Sequence, residues 1–246
     1  MTVSPIAPEQ ARSEFLWKGR TGPFSLALAP GVFPPSATSR AIAEQLDIRD
    51  GETVIDVGCG TGVLSFVAIR LGAGRAYGVD IVEESIPVAR ENALRMGLQD
   101  RVDFRAGNLF EPVRDVSADV VIGDVSGIPD EIAAETDWFP GGHAGGPTGA
   151  EVPVAMLESI GDCLRPGGRL YLPTATIQDE SSVLAAARRI FGAGNLIPVA
   201  EREFPLPALV ARSKAVARMV TDGLVRLRQR GSRLLWRLAI WRCVRT

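Results

Sequence analysis

Residues 54–62 read Val-Ile-Asp-Val-Gly-Cys-Gly-Thr-Gly, an apolar run leading into an acidic Asp56 and three alternating glycines, Gly58, Gly60 and Gly62. A second apolar run closes on Asp80, 18 residues past Gly62. Glycines after a strand let the backbone turn sharply and approach a ligand where a Cβ would clash. A carboxylate about 20 residues on, at the tip of the next strand, can hold the two hydroxyls of a ribose. Val63 stands where a dinucleotide fingerprint wants its third glycine, and Asp56 would repel a pyrophosphate. The spacing therefore favours an adenosyl ligand without phosphate over a dinucleotide. Further along, Gly107-Asn108-Leu109, Asp124 after an apolar run, and the lone His143 are the other side chains placed for chemistry.

These residues need a frame that brings them together. Apolar runs point to strands near 53–57, 75–80, 102–106, 119–124 and 168–173, with helical patterns near 36–46, 63–71, 83–96, 152–163 and 180–191. Alternation of this kind means an α/β fold with a doubly wound parallel sheet, whose ligands bind outside the carboxyl ends of the strands. Asp56, Asp80, Asn108 and Asp124 all fall at such ends. The stretch 139–149, rich in glycine and proline, is long enough to act as a lid.

With these motifs in order, the chain resembles the class I S-adenosylmethionine (SAM)-dependent methyltransferases from about Gly31 to about Phe191. The resemblance rests on the 54–62 loop, Gly78-Val79-Asp80, Gly107-Asn108-Leu109-Phe110, and Leu164-Arg165-Pro166-Gly167-Gly168-Arg169-Leu170. It implies a Rossmann-like, mostly parallel seven-stranded sheet with helices on both faces, and SAM as cofactor. In the site it implies, Asp56 meets the ammonium directly or through water, Asp80 accepts the ribose hydroxyls and Asn108 bonds adenine. Gly58, Gly60, Gly62, Ile81, Leu109 and Asp124 complete that cofactor site.

A closer resemblance concerns the acceptor. Gly31-Val32-Phe33-Pro34-Pro35-Ser36-Ala37-Thr38, Ala118-Asp119-Val120-Val121-Ile122-Gly123-Asp124 and Gly145-Gly146-Pro147-Thr148-Gly149 look like the release-factor glutamine methyltransferases and ribosomal protein methyltransferase-like subfamily. That subfamily carries Asn-Pro-Pro-Tyr after its fourth strand; this chain has Asp124-Val125-Ser126-Gly127. Loss of the amide clamp argues against methylation of an amide or of an exocyclic base amine. Asp124 is expected instead to hydrogen-bond an amine or hydroxyl and take its proton, with His143 as a general base if the 139–149 loop closes. Trp138 and Phe139 either wall the acceptor pocket or anchor the loop. The expectation is methyl transfer to an N or O atom of a small-molecule acceptor, in specialised metabolism. Protein or RNA methylation, or non-methylating chemistry by a SAM-binding enzyme of this fold, are the alternatives.

Composition sets bounds. With 246 residues, 46% hydrophobic and 23% charged, the chain suits a single domain over 1–246. Within it, 1–35 is expected to be a substrate or lid segment, 36–200 the cofactor-binding core and 201–246 a basic segment completing the sheet. Cys59, Cys163 and Cys243 lack paired short spacing, so buried free thiols are expected rather than disulfides or a metal site. The sequence shows no signal-peptide-like apolar segment and no run of about 18 apolar residues, so a cytoplasmic protein is expected. Only Lys18 and Lys214 are lysines among 27 basic residues, the codon bias of a GC-rich bacterium. From Arg202 onward there are 11 basic and 2 acidic residues. That tail reads either as an anion-binding surface, with nucleic acid not favoured, or as a solvated face; a homodimer is compatible with it. Within it Ser213 to Arg230 looks helical and Leu234 to Arg242 looks like a terminal strand.

Overall fold

The computed structural model describes residues 13–136, 138 and 144–246. An antiparallel hairpin, β1 (Ser13–Trp17) and β2 (Phe24–Leu28), precedes α1 (Ala37–Gln45). Then come β3 (Thr53–Val57), α2 (Val63–Leu71), β4 (Arg75–Asp80), α3 (Ser85–Arg95), β5 (Val102–Ala106), β6 (Ala118–Gly123), α4 (Asp130–Glu135) and α5 (Glu151–Ser159). The chain finishes with β7 (Leu164–Ala175), α6 (Glu180–Phe191), β8 (Leu196–Pro205), α7 (Ala208–Ala211), α8 (Lys214–Thr221), β9 (Arg228–Arg230) and β10 (Arg233–Val244).

The strands lie in the order β5-β4-β3-β6-β7-β10-β8, with short β9 pairing to β10. The pairs β3–β4, β3–β6, β4–β5 and β6–β7 are parallel, whereas β10 runs antiparallel to both β7 and β8. This is the mostly parallel seven-strand sheet expected, with β9 as an added ribbon. The order reverses at β3 and β6, which diverge from a common point and open a crevice at their carboxyl ends.

Burial on both faces explains the near-continuous apolar runs. Val54, Val120 and Ile122 pack with Phe66, Phe104 and Ile42 on one face. Their strand neighbours Ile55, Val57 and Val121 pack with Leu157, Leu170 and Phe191 on the other, as the period of two requires.

Several elements differ from the sequence reading, the short α4, α7 and β9 among them. The hairpin β1–β2 arises in a segment assigned no structure, held by buried Trp17 and Leu26. β8 is an edge strand whose burial pattern is largely exposed, so it lacks the apolar signature. The helix expected to Arg230 stops at Thr221, because Asp222-Gly223 turns the chain with Gly223 at φ 75°, a conformation that suits glycine. The segment 233–244 does form a strand, inserted between β7 and β8 with Leu238, Ala239, Ile240 and Cys243 buried. Much of the tail's charge is matched within the fold: Arg202 pairs with Glu44, Arg218 with Glu131, Arg228 with Glu203, Arg237 with Glu180 and Glu201, and Arg245 with Asp162. Cys59, Cys163 and Cys243 are buried free thiols. No helix among the described residues is long and apolar enough to cross a membrane.

Candidate functional site

A cavity of about 630 Å³ opens at the carboxyl ends of β3, β4, β6 and β7. Its floor is the 58–61 loop. Gly58 and Gly60 adopt φ of 80° and 49°, and a Cβ on Gly58 would lie 2.5 Å from the Asp124 carbonyl oxygen. The loop can pass this close to β6 only because that atom is absent. Gly58 N and Cys59 N both donate to Val79 O, tying the loop to β4.

Asp80 sits at the tip of β4 on the cavity wall. One carboxylate oxygen accepts from Gly60 N at 2.7 Å and the other from Val82 N at 2.9 Å. The side chain thus fixes the loop while staying half-buried beside the opening. Ile81, 53% exposed, and Leu109, at φ 49°, also line the cavity. Together they offer apolar surface suited to a flat ring. Asn108 lies on the wall between Gly107 and Leu109, its side-chain amide without a protein partner among the described residues.

Two expected ligand contacts lie elsewhere. Asp56 is fully buried beneath the loop and does not line the cavity. Its Oδ2 accepts from Ser65 N at 2.9 Å and Ser65 Oγ at 2.7 Å, so it holds the first turn of α2. Burial pushes its carboxyl up to about 7, the Ser65 hydrogen bonds oppose this, and the charges of Asp124 and Asp80 add to it. Gly62 also stands behind the wall, at the N-cap of α2 with φ 85°. A Cβ there would meet the rings of Phe66 and Phe104 at 2.7 and 2.8 Å, so this glycine serves helix packing. The acidic residue and the third glycine of the motif shape the loop from below rather than line the cavity.

Asp124 follows β6 and is half-buried in the cavity. Its Oδ2 accepts a 2.6 Å hydrogen bond from Ser39 Oγ. Burial raises its carboxyl to about 6, with the Ser39 bond pulling the other way. Ser39 is itself fixed: the α1 N-cap Ser36 accepts from Ser39 N, and Ser36 N donates to Ser39 Oγ in a capping box. Sequence reasoning missed Ser39. The Ser36-x-x-Ser39 spacing marks a helix start, but nothing in it shows a target 85 residues away.

Trp138 lines the cavity and packs edge-on against Trp236, with ring centroids 5.9 Å apart. His143 and Phe139 lie outside the described residues. Thr61, Ser126 and Gln178, none of them singled out as a contact from the sequence, also line the wall. Among the described residues the wall carries Asp80, Asp124 and Asp130 and no lysine, arginine or histidine. Such a cavity favours a cation and disfavours phosphate. Among the same residues no cluster of His, Cys, Asp or Glu is placed to hold a metal ion.

A family model described as a methyltransferase domain matches residues 48–218. A ribosomal protein L11 methyltransferase of Edwardsiella ictaluri is 35% identical over 179 residues, 72% of this chain and 51% of the relative. One of Pectobacterium carotovorum is 37% identical over 123 residues, 49% of this chain and 41% of the relative. The chain thus spans about half the length of the curated relatives it matches. Among solved structures, a ribosomal protein L11 methylase from Lactobacillus delbrueckii subsp. bulgaricus aligns with a TM-score of 0.51 at 19% identity, covering 87% of this chain and 82% of that one. A putative methyltransferase complexed with SAH, SMU.776, aligns with a TM-score of 0.58 at 16% identity, covering 98% and 58%. At these identities the structures speak for the fold alone.

Proposed function

Because the chain belongs to the methyltransferase-domain family, the class I SAM-dependent methyltransferases, we propose that it transfers the methyl group of SAM to an amine of a protein acceptor. The observation that carries this reading is the acidic cavity wall, with three aspartates and no described cationic side chain. SAM carries a sulfonium and an ammonium against one carboxylate, and an amine acceptor arrives as an ammonium. Both are drawn to such a wall, whereas nucleic-acid phosphates are repelled.

The residues present fit the cofactor. Asp80, held by Gly60 N and Val82 N, holds the ribose; Asn108 bonds the adenine edge, and Ile81 and Leu109 flank the ring. Gly58 and Gly60 let backbone amides approach. Asp56 acts on the site through Ser65 and its charge rather than by contact. When bound, SAM supplies an electrophilic methyl group for in-line displacement.

Asp124 serves the acceptor. Its carboxylate attracts the ammonium and accepts the proton that must leave before nitrogen can attack, a transfer matched to a carboxyl raised to about 6. Ser39 holds that carboxylate by one oxygen, leaving the other for the acceptor. Trp138 supplies an apolar wall that helps exclude water.

The protein acceptor replaces the small molecule that the sequence reading put first. The relatives' names favour it, since several are ribosomal protein L11 methyltransferases, and the loss of Asn-Pro-Pro-Tyr disfavours an amide but not an amine. The test is incubation of the purified protein, methyl-labelled SAM and ribosomal protein L11 from the same source, followed by acid hydrolysis. Label retained as N-methyl-lysine or as an Nα-methyl amino acid supports the reading. Label released as methanol or methylamine marks an ester or amide and overturns it.

A further inference from the structure

Native proteins rarely leave buried polar groups without a partner, because each costs its full desolvation. Three of the six exceptions among the described residues meet in one cavity, which Thr21, Asp56 and Arg242, the residues of the other three, do not line. Gln178 Nε2, Ser126 Oγ and Thr61 Oγ1 are buried and unpartnered among the described residues, and all three residues line the same cavity. Gln178 is only 4% exposed. Its carboxamide lies against Gly127, where an added Cβ would sit 2.0 Å from Oε1. Its own Cβ would lie 3.0 Å from one built on Gly149. Two glycines therefore make room for this one amide and hold it in place, while its nitrogen stays without a partner among the described residues.

The position of Gln178 separates it from the cofactor residues. It follows β7, whereas Asp80 ends β4 and Asn108 follows β5. β7 lies three strands from β4 and four from β5, about 14 and 19 Å at the usual strand spacing of about 4.8 Å. Asp124 is close instead: β6 adjoins β7, and Gly127, which touches the Gln178 amide, is three residues past Asp124. That length of chain reaches at most about 11 Å.

We propose that Gln178 is a positioning residue for the acceptor, donating from its amide nitrogen to a peptide carbonyl oxygen next to the amine held at Asp124. Ser126 Oγ supplies a second polar contact to the same peptide group. A lysine side chain fits, since its extended stem separates the amine from its backbone carbonyl by a length within the reach between Asp124 and Gln178. The site then selects amines attached to a peptide over free alkylamines. This inference rests on the amine reading above.

The test compares two acceptors, Nα-acetyl-lysine methylamide, which carries peptide carbonyls, and n-butylamine, which carries none. The full chain should use the first with kcat/KM about tenfold higher, the scale of one well-placed hydrogen bond. Gln178→Met keeps the length and removes the donor; Gln178→Glu keeps the shape and serves if the methionine variant does not fold. Either should erase most of the preference by raising KM for the lysine derivative, with kcat within about twofold, n-butylamine turnover unchanged, and SAM affinity by calorimetry unchanged. Equal use of both amines by the unaltered protein overturns this inference alone. So does a variant that weakens both amines and SAM together, which marks a structural role. Label on neither amine removes the amine reading and this inference with it.

Discussion

Ser39 Oγ donates to Asp124 Oδ2 across 2.6 Å, joining the first turn of α1 to the carboxylate that follows β6. The bond crosses from a helix cap to the β6 side of the cavity and leaves one Asp124 oxygen free of it. Because it stabilises the charged form, it holds the Asp124 carboxyl below where burial alone would put it. Ser39→Ala should therefore move the acidic limb of the kcat/KM profile to higher pH and cost about 1–2 kcal/mol of stability through the lost bond and half a capping box. A profile that stays in place would show that Asp124 does not set that limb.

Asp124→Asn tests the proton acceptor itself. Activity should fall about 100-fold or more, and the limb near pH 6 should disappear. Stability carries the opposite sign. A carboxyl raised from 3.8 to about 6 holds its proton longer in the folded chain than in the unfolded one. The cost of its burial is therefore absent below about pH 3.8, grows through the window between, and is fully present above about pH 6. Melting curves of the two proteins should converge at pH 4, with the asparagine variant gaining on wild type toward pH 8. A constant difference between them would contradict the raised value.

The glycines of the loop should differ in a defined way. At Gly58 a Cβ would meet the Asp124 carbonyl oxygen at 2.5 Å, whereas at Gly60 the nearest atom is Phe33 O at 3.5 Å. Both carry positive φ, worth about 1–2 kcal/mol against alanine. Gly58→Ala should cost clearly more than Gly60→Ala in denaturant unfolding, and should also lower kcat by moving Asp124. Equal costs would mean that backbone strain alone decides.

Asp80→Ala removes the acceptor for both Gly60 N and Val82 N. Each bond to a charged group is worth about 1.5–3 kcal/mol, so SAM affinity should fall at least about tenfold by calorimetry. Unchanged affinity would sink the assignment of Asp80 to the cofactor.

What the sequence made legible follows from burial. β3, β4 and β6 are covered on both faces and read as apolar runs; β8 exposes much of itself at an edge and does not. The loop glycines and Asp80 were legible because backbone conformation and spacing leave a mark in the chain. Asp56 carries the same mark but points under the loop toward Ser65, since the free amides of α2 lie on that side, and spacing cannot say which way a side chain turns. Ser39 reads in the chain only as part of a helix cap, and Gln178 belongs to no motif. Their places at the cavity exist only once α1 and the end of β7 meet the β6 tip.

The most direct measurement is transfer from methyl-labelled SAM into a lysate of the source organism, separated into small molecules, protein and nucleic acid. The account predicts label in protein, on amines, with one S-adenosylhomocysteine formed per methyl transferred. Label confined to small molecules or nucleic acid, or consumption of SAM without S-adenosylhomocysteine, would contradict it.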